Sequence, residues 1–174
     1  TTGDMKVFAR NALTGDRYWR FSYSFDEPTA GQTGKNRGVA VRENRVFFGA
    51  TDAHMIALNR YTGEKVWETD SLSEKQANMN KPERITFTQA PIAHDGRIYI
   101  ATEFYDPSGG MSMLDAATGE VLWEDNRMTN HAHSITGMDP ETGVFTAGCN
   151  DGALYVWHLE GPTFRGGFTT DGAI

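Results

Sequence analysis

The stretch from residue 37 to residue 68, RGVAVRENRVFFGATDAHMIALNRYTGEKVWE, decides the fold of this chain. Residues 38–41, 45–49, 55–58 and 65–68 are rich in apolar, β-branched or aromatic side chains, as β-strands are. Turn-forming residues separate these runs, and Gly63 can take a positive φ in the third turn without steric cost. The stretch therefore predicts a four-stranded antiparallel meander, which is the size of one propeller blade.

The same pattern recurs along the chain, so the fold is predicted to be built of repeats. In the segments 12–19, 59–67 and 115–123 the glycine of a Thr-Gly pair lies four residues before a tryptophan. Trp19, Trp67 and Trp123 are therefore equivalent, and we expect each to dock an outer strand on the neighbouring blade. Trp157 breaks the pattern because it aligns with Leu58 on a third strand, so the last blade is expected to lack its outer strand.

These repeats predict a single all-β domain over residues 1–174, an incomplete β-propeller of about three to four blades. Its expected parts are a partial blade at 5–24, blades at 37–69 and 86–124, a partial blade at 134–159 and an irregular tail at 160–174. Residues 103–110 are expected to form an insertion between the second and third strands of their blade. Insertions of that kind belong to a site or an interface more often than to a core.

Composition excludes several classes of function. The chain has 16 basic and 23 acidic residues and a net charge of -7, with the basic residues scattered, which argues against a nucleic-acid footprint. It has no apolar run of the roughly 20 residues that a membrane span requires. The polar start TTGD lacks the charged and apolar regions of a signal peptide, so we expect either a processed product or an internal segment. The single cysteine excludes an internal disulfide.

With Ala-Leu-Asn or Met-Leu-Asp ahead of them, the Thr-Gly-x-x-x-Trp repeats resemble the tryptophan-docking motifs of the pyrroloquinoline quinone (PQQ) dehydrogenases, the alcohol and methanol dehydrogenase family. The resemblance covers residues 5–124 and extends more weakly to 159. It implies a propeller that holds PQQ and a calcium or lanthanide ion near its axis. It also implies a periplasmic or extracellular location and a cytochrome as electron acceptor.

The resemblance also indicates site residues. Arg37 lies in a Lys-Asn-Arg-Gly segment that is similar to the one whose arginine contacts the quinone carbonyls, which implies a catalytic and cofactor-binding role. Thr88, in Thr-Gln-Ala-Pro, matches a cofactor-binding threonine. Asp106 falls where the family has a metal-binding glutamate, and Glu103 is the alternative ligand, although the flanking sequence differs from the family's. The alternative interpretation of both acids is a loop that faces water.

Two hypotheses about function remain open. In the first, the chain is part of a PQQ-dependent dehydrogenase that oxidises an alcohol-type substrate. In the second, it is a PQQ-like propeller without cofactor that serves as a scaffold or binds proteins. The second is favoured by the absence of the family's adjacent cysteine pair, which would fall near Gly31 and Gln32, and of the residues of later blades. In either case we expect this chain to be inactive by itself and to be completed by other copies or by another subunit.

Overall fold

The computed structural model describes residues 1–25, 36–70, 85–87, 89–104, 109–128, 132–149, 151–160 and 164–169. Within these residues the chain has fifteen strands and no helix. The strands form four antiparallel sheets that follow one another along the sequence. The predicted all-β class of propeller-type sheets is confirmed.

The first two sheets contain six strands. The first sheet pairs β1 (Lys6–Arg10) with β2 (Arg17–Ser22). The second sheet has the order β3 (Ala40–Arg42), β4 (Arg45–Gly49), β5 (His54–Asn59) and β6 (Lys65–Asp70). This meander is the one that the opening stretch of sequence predicts.

The third sheet has a split first strand. Both β7 (Ile85–Thr86) and β8 (Ile92–His94) pair with β9 (Arg97–Phe104), which is followed by β10 (Gly109–Asp115) and β11 (Val121–Met128). The fourth sheet has the order β12 (Ala132–Asp139), β13 (Val144–Cys149), β14 (Ala153–His158) and β15 (Phe164–Thr169).

The fourth sheet corrects the sequence prediction, because β15 supplies the outer strand that was expected to be missing. The expectation of an irregular tail over 160–174 is therefore wrong for residues 164–169. Gly166 and Gly167 pair with Val156 and Tyr155 in this strand. Glycine has a low propensity for strands, so the sequence of β15 does not predict a strand. The strand forms because the free edge of β14 offers backbone groups with which β15 pairs.

The predicted insertion at 103–110 is described only at its two ends. The strands β9 and β10 continue into it, and Gly110 pairs with Thr102. The two ends of the segment thus extend the β9–β10 hairpin, and residues 105–108 lie outside the described residues.

The core consists of three clusters, each between two successive sheets. Because side chains alternate across a strand, the second sheet contributes to two of them. Phe48 and Ile56 face the first sheet, and Phe47 and Met55 face the third. All four are essentially buried. The third cluster, between the third and fourth sheets, includes the fully buried Trp157.

A tryptophan docks the first sheet on the second. The Nε1–H of Trp19 donates to the carbonyl oxygen of Arg60 at 2.8 Å. The indole ring lies against Gly63, where an added Cβ would approach a ring carbon to 2.6 Å. The docking role predicted for Trp19 is confirmed.

The second sheet docks on the third in the same way. The Nε1–H of Trp67 donates to the carbonyl oxygen of Ala116 at 3.1 Å, and the ring lies against Gly119. The hydroxyl of Thr69 donates to the carbonyl oxygen of the same glycine at 2.8 Å. The Thr-Gly turn of one sheet is thus the receptor for the tryptophan of the sheet before it.

Side-chain hydrogen bonds shape these receptor turns. The Oδ1 atom of Asn59 accepts from the backbone N–H groups of Tyr61 and Thr62, at 2.8 and 3.2 Å. The N–H of Gly63, at φ 76°, donates to the carbonyl oxygen of Asn59 at 2.9 Å. Asn11 and Asp115 make the equivalent bonds in their own turns. An Asn or Asp four residues before the glycine therefore presents the turn to the indole.

The third interface departs from this pattern. Trp123 packs edge-on against Phe145 and Trp157 of the fourth sheet, with ring centroids 6.3 and 6.4 Å apart. The carbonyl oxygen of Leu159 accepts from the Nη1 of Arg97 and the hydroxyl of Tyr99, both at 2.9 Å. An aromatic cluster therefore joins these two sheets.

The docking contact can be tested with two matched glycine substitutions. Gly119→Ala combines a positive φ of 80° with a Cβ 2.7 Å from the Trp67 ring, whereas Gly15→Ala, at φ 77°, meets nothing within 4 Å. We expect Gly15→Ala to lower the free energy of unfolding by about 1 kcal/mol, from backbone strain. Gly119→Ala should lower it by about 3 kcal/mol, because the clash is added. Urea denaturation measures both, and equal losses would contradict the docking role.

Candidate functional site

Because strand direction alternates, a four-stranded sheet has its first strand begin at the edge where its last strand ends, and we name this edge the upper edge. In the second sheet this edge contains the start of β3, the end of β4, the start of β5 and the end of β6, since Gly49 pairs with Met55 and His54 with Asp70. The segment that leads into each first strand reaches the same edge. Residues 36–38 and 89–91 are such segments, so residues far apart in sequence converge there.

Arg37 lies on the upper edge, three residues before β3, and its side chain is exposed. Its Nη1 donates to the Oε1 of Gln89 at 3.1 Å, across 52 positions of sequence. The two residues enter neighbouring sheets at equivalent places, three residues before β3 and β8 respectively. The contact fixes a guanidinium group at the junction of the second and third sheets.

Gln89 is the residue of this site that sequence reasoning missed. Its side chain is 4% exposed and accepts from Arg37, so a buried neutral amide orients an exposed cation. The signal available in the sequence was its place directly after Thr88, where the family pattern Thr-Gly-Ala-Pro has glycine. This place in the sequence does not reveal the partner of Gln89, which lies in another sheet.

Asn36 holds the backbone on which Arg37 is carried. Its Nδ2 donates to the carbonyl oxygen of Gly49 at 3.0 Å, and its Oδ1 accepts from the N–H of Gly38 at 3.1 Å. Gly38 adopts φ 135°, and its α-carbon faces Ala90 so closely that an added Cβ would lie 3.5 Å from the alanine Cβ. The Asn-Arg-Gly segment is thus tied to β4 on one side and to the third sheet on the other.

The remaining predicted site residues are less fully described. Thr88 and Asp106 lie outside the described residues. The backbone of Glu103 is in β9 and pairs with Thr86, which places it near the upper edge. The cofactor and metal roles of these three residues therefore remain predictions. Among the residues that the structure describes, no three His, Cys, Asp or Glu side chains are grouped to hold a metal ion.

A second polar group on the upper edge consists of Tyr23, Asp52 and His54, at the interface of the first two sheets. Burial, together with the neighbouring carboxylate of Asp52, raises the pKa of the Tyr23 hydroxyl. The interaction with Asp52 raises the pKa of the His54 imidazole in spite of partial burial. The interface is therefore electrostatically biased toward a protonated histidine.

The chemistry of the Arg37 site fits an anionic, planar acceptor. A guanidinium group offers five N–H donors in a plane and complements carboxylate or quinone oxygens. Its exposure leaves it accessible from the upper edge, and the bond to Gln89 limits its rotation. These features place an accessible and oriented arginine at the junction of two propeller-type sheets.

Comparison with known proteins agrees with this class. A PQQ-repeat family model, described as outer membrane protein assembly factor BamB, matches residues 2–160. The chain is 32% identical over 123 residues to the quinohemoprotein alcohol dehydrogenase of Comamonas testosteroni. This alignment covers 67% of the chain and 16% of that relative. It is 31% identical over 148 residues to the quinoprotein ethanol dehydrogenase of Pseudomonas aeruginosa, covering 80% of the chain and 23% of that relative.

The fold agrees as well. The crystal structure of quinohemoprotein alcohol dehydrogenase from Comamonas testosteroni superposes with a TM-score of 0.80 at 19% identity, over 94% of this chain and 32% of that one. The chain belongs to the PQQ-repeat β-propeller family that includes the quinoprotein alcohol dehydrogenases. It spans less than a quarter of the length of either curated relative. Among the described residues, no helix is both long and apolar enough to cross a membrane.

The coupling of Arg37 to Gln89 can be measured by a double-mutant cycle. The variants are Arg37→Met, Gln89→Met and the combination of both, since methionine keeps side-chain length without the polar group. We expect a coupling free energy of about 1.5 kcal/mol, the lower end for a hydrogen bond to a charged group. Urea denaturation of the four proteins gives this value. Additive losses would show that the contact does not hold the arginine.

Proposed function

We propose that this chain is part of a PQQ-dependent dehydrogenase that oxidises an alcohol-type substrate and passes the electrons to a cytochrome. The observation that carries the proposal is Arg37 at the upper edge, held by Gln89 in an Asn-Arg-Gly segment like that of the family. The relatives support it, since their names record quinoprotein alcohol and ethanol dehydrogenases.

In this proposal Arg37 binds and orients the quinone. Bound PQQ supplies the redox chemistry by accepting two electrons from the alcohol. The guanidinium stabilises negative charge that develops on an oxygen close to it, and a fixed cation does this without the cost of reorganisation. Gln89 reduces the number of orientations that the guanidinium can adopt, so less ordering is required when an anionic group binds.

Thr88, Glu103 and Asp106 complete the proposed site on this chain. Thr88 hydrogen-bonds the cofactor, and either acid supplies the oxygen ligands that calcium or a lanthanide prefers. Because the chain spans a small share of its relatives, we propose that it requires the remaining blades for turnover and is inactive by itself. A periplasmic or extracellular location is proposed by the same resemblance.

The alternative is a propeller without cofactor that serves as a scaffold or binds proteins. The description of the matching family model as an outer-membrane assembly factor favours it. So does the absence of the family's cysteine pair near Gly31 and Gln32. In this alternative the arginine and glutamine only join two sheets.

Quinone binding separates the two functions. In equilibrium dialysis with PQQ and calcium, Arg37→Gln should bind PQQ about tenfold or more weakly than the wild type, because a charged hydrogen bond is lost. Arg42→Gln is the matched control, since it removes the same charge from an exposed position at the far end of β3. Its affinity should equal that of the wild type. Equal retention by all three proteins, or retention by none, would favour the alternative.

We further propose that other copies of the chain, or another subunit, cover the first sheet. A groove of about 630 Å³ runs beside β1 and is lined by Val7, Trp19, Val39, Val41 and Val46. It continues the buried cluster between the first two sheets, and Val41 is 51% exposed in it. Among the described strands, β1 pairs with β2 and with no other, which leaves one edge for a further strand. For the isolated chain we favour a second copy as the occupant.

Sedimentation at micromolar concentration tests this association. Val41→Lys places a charge in the groove and should shift the wild-type dimer to monomer. Val66→Lys makes the same change at a position that is 41% exposed and outside the groove, and should leave the dimer intact. A monomeric wild type, or dimers of all three proteins, would contradict the proposal.

A further inference from the structure

The interface between the first and second sheets contains a polar cluster near the upper edge. The hydroxyl of Tyr23, which follows β2, donates to the Oδ2 of Asp52 at 2.9 Å. The other oxygen of Asp52, Oδ1, lies 3.3 Å from the Nδ1 of His54, which begins β5. The side chains of Asp52 and His54 are 8% and 20% exposed. One carboxylate therefore bridges a hydroxyl of one sheet and an imidazole of the other.

The contact between Asp52 and His54 is not a well-aligned hydrogen bond, and it is an ion pair when the imidazole is protonated. Both Oδ1 and Nδ1 are buried, and neither has a well-aligned hydrogen-bond partner among the described residues. At this separation the attraction depends on the charge of the imidazole. If the imidazole is neutral, a buried carboxylate oxygen lacks its compensating charge, which is unfavourable.

The surroundings of His54 are acidic. Besides Asp52, the groups that face it are the carboxylates of Glu68 and Asp70 from β6 and the neutral hydroxyl of Tyr23 from the first sheet. Lys65 forms an ion pair with Glu68. Protonated His54 thus offsets part of a local excess of negative charge. When it loses its proton, the carboxylates repel one another with less compensation.

The β1–β2 hairpin depends on this interface. Among the described strands it forms a sheet of two, and two-stranded hairpins are marginally stable unless they pack on another element. Among the described residues, its polar contacts with the second sheet and the segment before it include the bond from Trp19 to Arg60, the bond from Tyr23 to Asp52 and a long contact from Asn36 to Met5. A change in the charge state of the cluster therefore acts at the interface on which the hairpin depends.

We propose that Asp52 and His54 form a proton-operated latch that holds the β1–β2 hairpin on the second sheet. The hairpin is docked while His54 is protonated and opens more often once His54 is neutral. The geometry gives the direction: Tyr23 of the hairpin contacts the Asp52 carboxylate, and removal of water from this interface makes the carboxylate depend more strongly on the charge of the imidazole. The raised pKa of His54 sets the pH range: a contribution from protonated His54 is fully present below the ordinary histidine pKa of about 6.5 and is lost as the pH rises through the higher pKa of the folded state. Tyr23 stays protonated over this range, because its pKa is raised. The latch does not depend on the proposed enzymatic function.

Hydrogen exchange of the purified chain tests the latch. Opening constants of the β1–β2 amides are measured at pH 6.0 and 8.5, corrected for intrinsic exchange rates, and divided by those of the β9–β10 amides. We expect this ratio to rise about three- to tenfold at the higher pH in the wild type. In His54→Gln this ratio of opening constants should be the same at pH 6.0 and at pH 8.5. His94→Gln, which replaces a histidine at the opposite end of the third sheet, should keep the wild-type response.

A second measurement decides the question if His54→Gln does not fold. The imidazole signal of His54 in the wild type is titrated by NMR, and its midpoint should coincide with the rise in hairpin opening. Tyr23→Phe should open more at both pH values but keep the pH response, since the ion pair remains. A wild-type ratio that does not change, a response retained by His54→Gln, or two midpoints that differ would overturn the proposal.

Discussion

The docking of a tryptophan on the Thr-Gly turn of the next sheet is the contact on which the rest of the structure depends. A four-stranded sheet has two apolar faces, and a chain of such sheets is stable only when each face is covered by a neighbour. The bonds from Trp19 to Arg60 and from Trp67 to Ala116 fix the orientation of two successive sheets. Because an indole must lie flat on the turn, the receiving position is restricted to glycine.

That orientation also builds the candidate site. Arg37 and Gln89 are 52 residues apart, and they meet because equivalent lead-in segments of two neighbouring sheets are placed side by side. The same edge carries the cluster of Tyr23, Asp52 and His54 one interface earlier. The repeat therefore places polar groups at both of these junctions, and their identity differs from one junction to the other. A family of repeats can change its function in this way while the docking contacts stay constant.

The sequence predicted the repeated architecture because its signals are local. Glycines at positive φ, the Asn or Asp that shapes each turn and the alternation of apolar residues all act within about ten residues. Arg37 could be found by its motif, whereas Gln89 could not, because its role depends on a partner in another sheet. The outer strand β15 was missed for a similar reason, since its paired glycines carry no strand propensity.

The amino-acid sequence by itself thus determined the class of sheet, the turns, the docking of Trp19 and Trp67 and the family resemblance. The tertiary structure decided which groups share an interface: the amide that orients Arg37, the pairing of β15 with β14, and the buried ion pair of His54. The physical reason is the range of the interactions. Backbone preferences act between neighbours in sequence, while burial and charge act between residues that only the folded chain brings within a few ångströms.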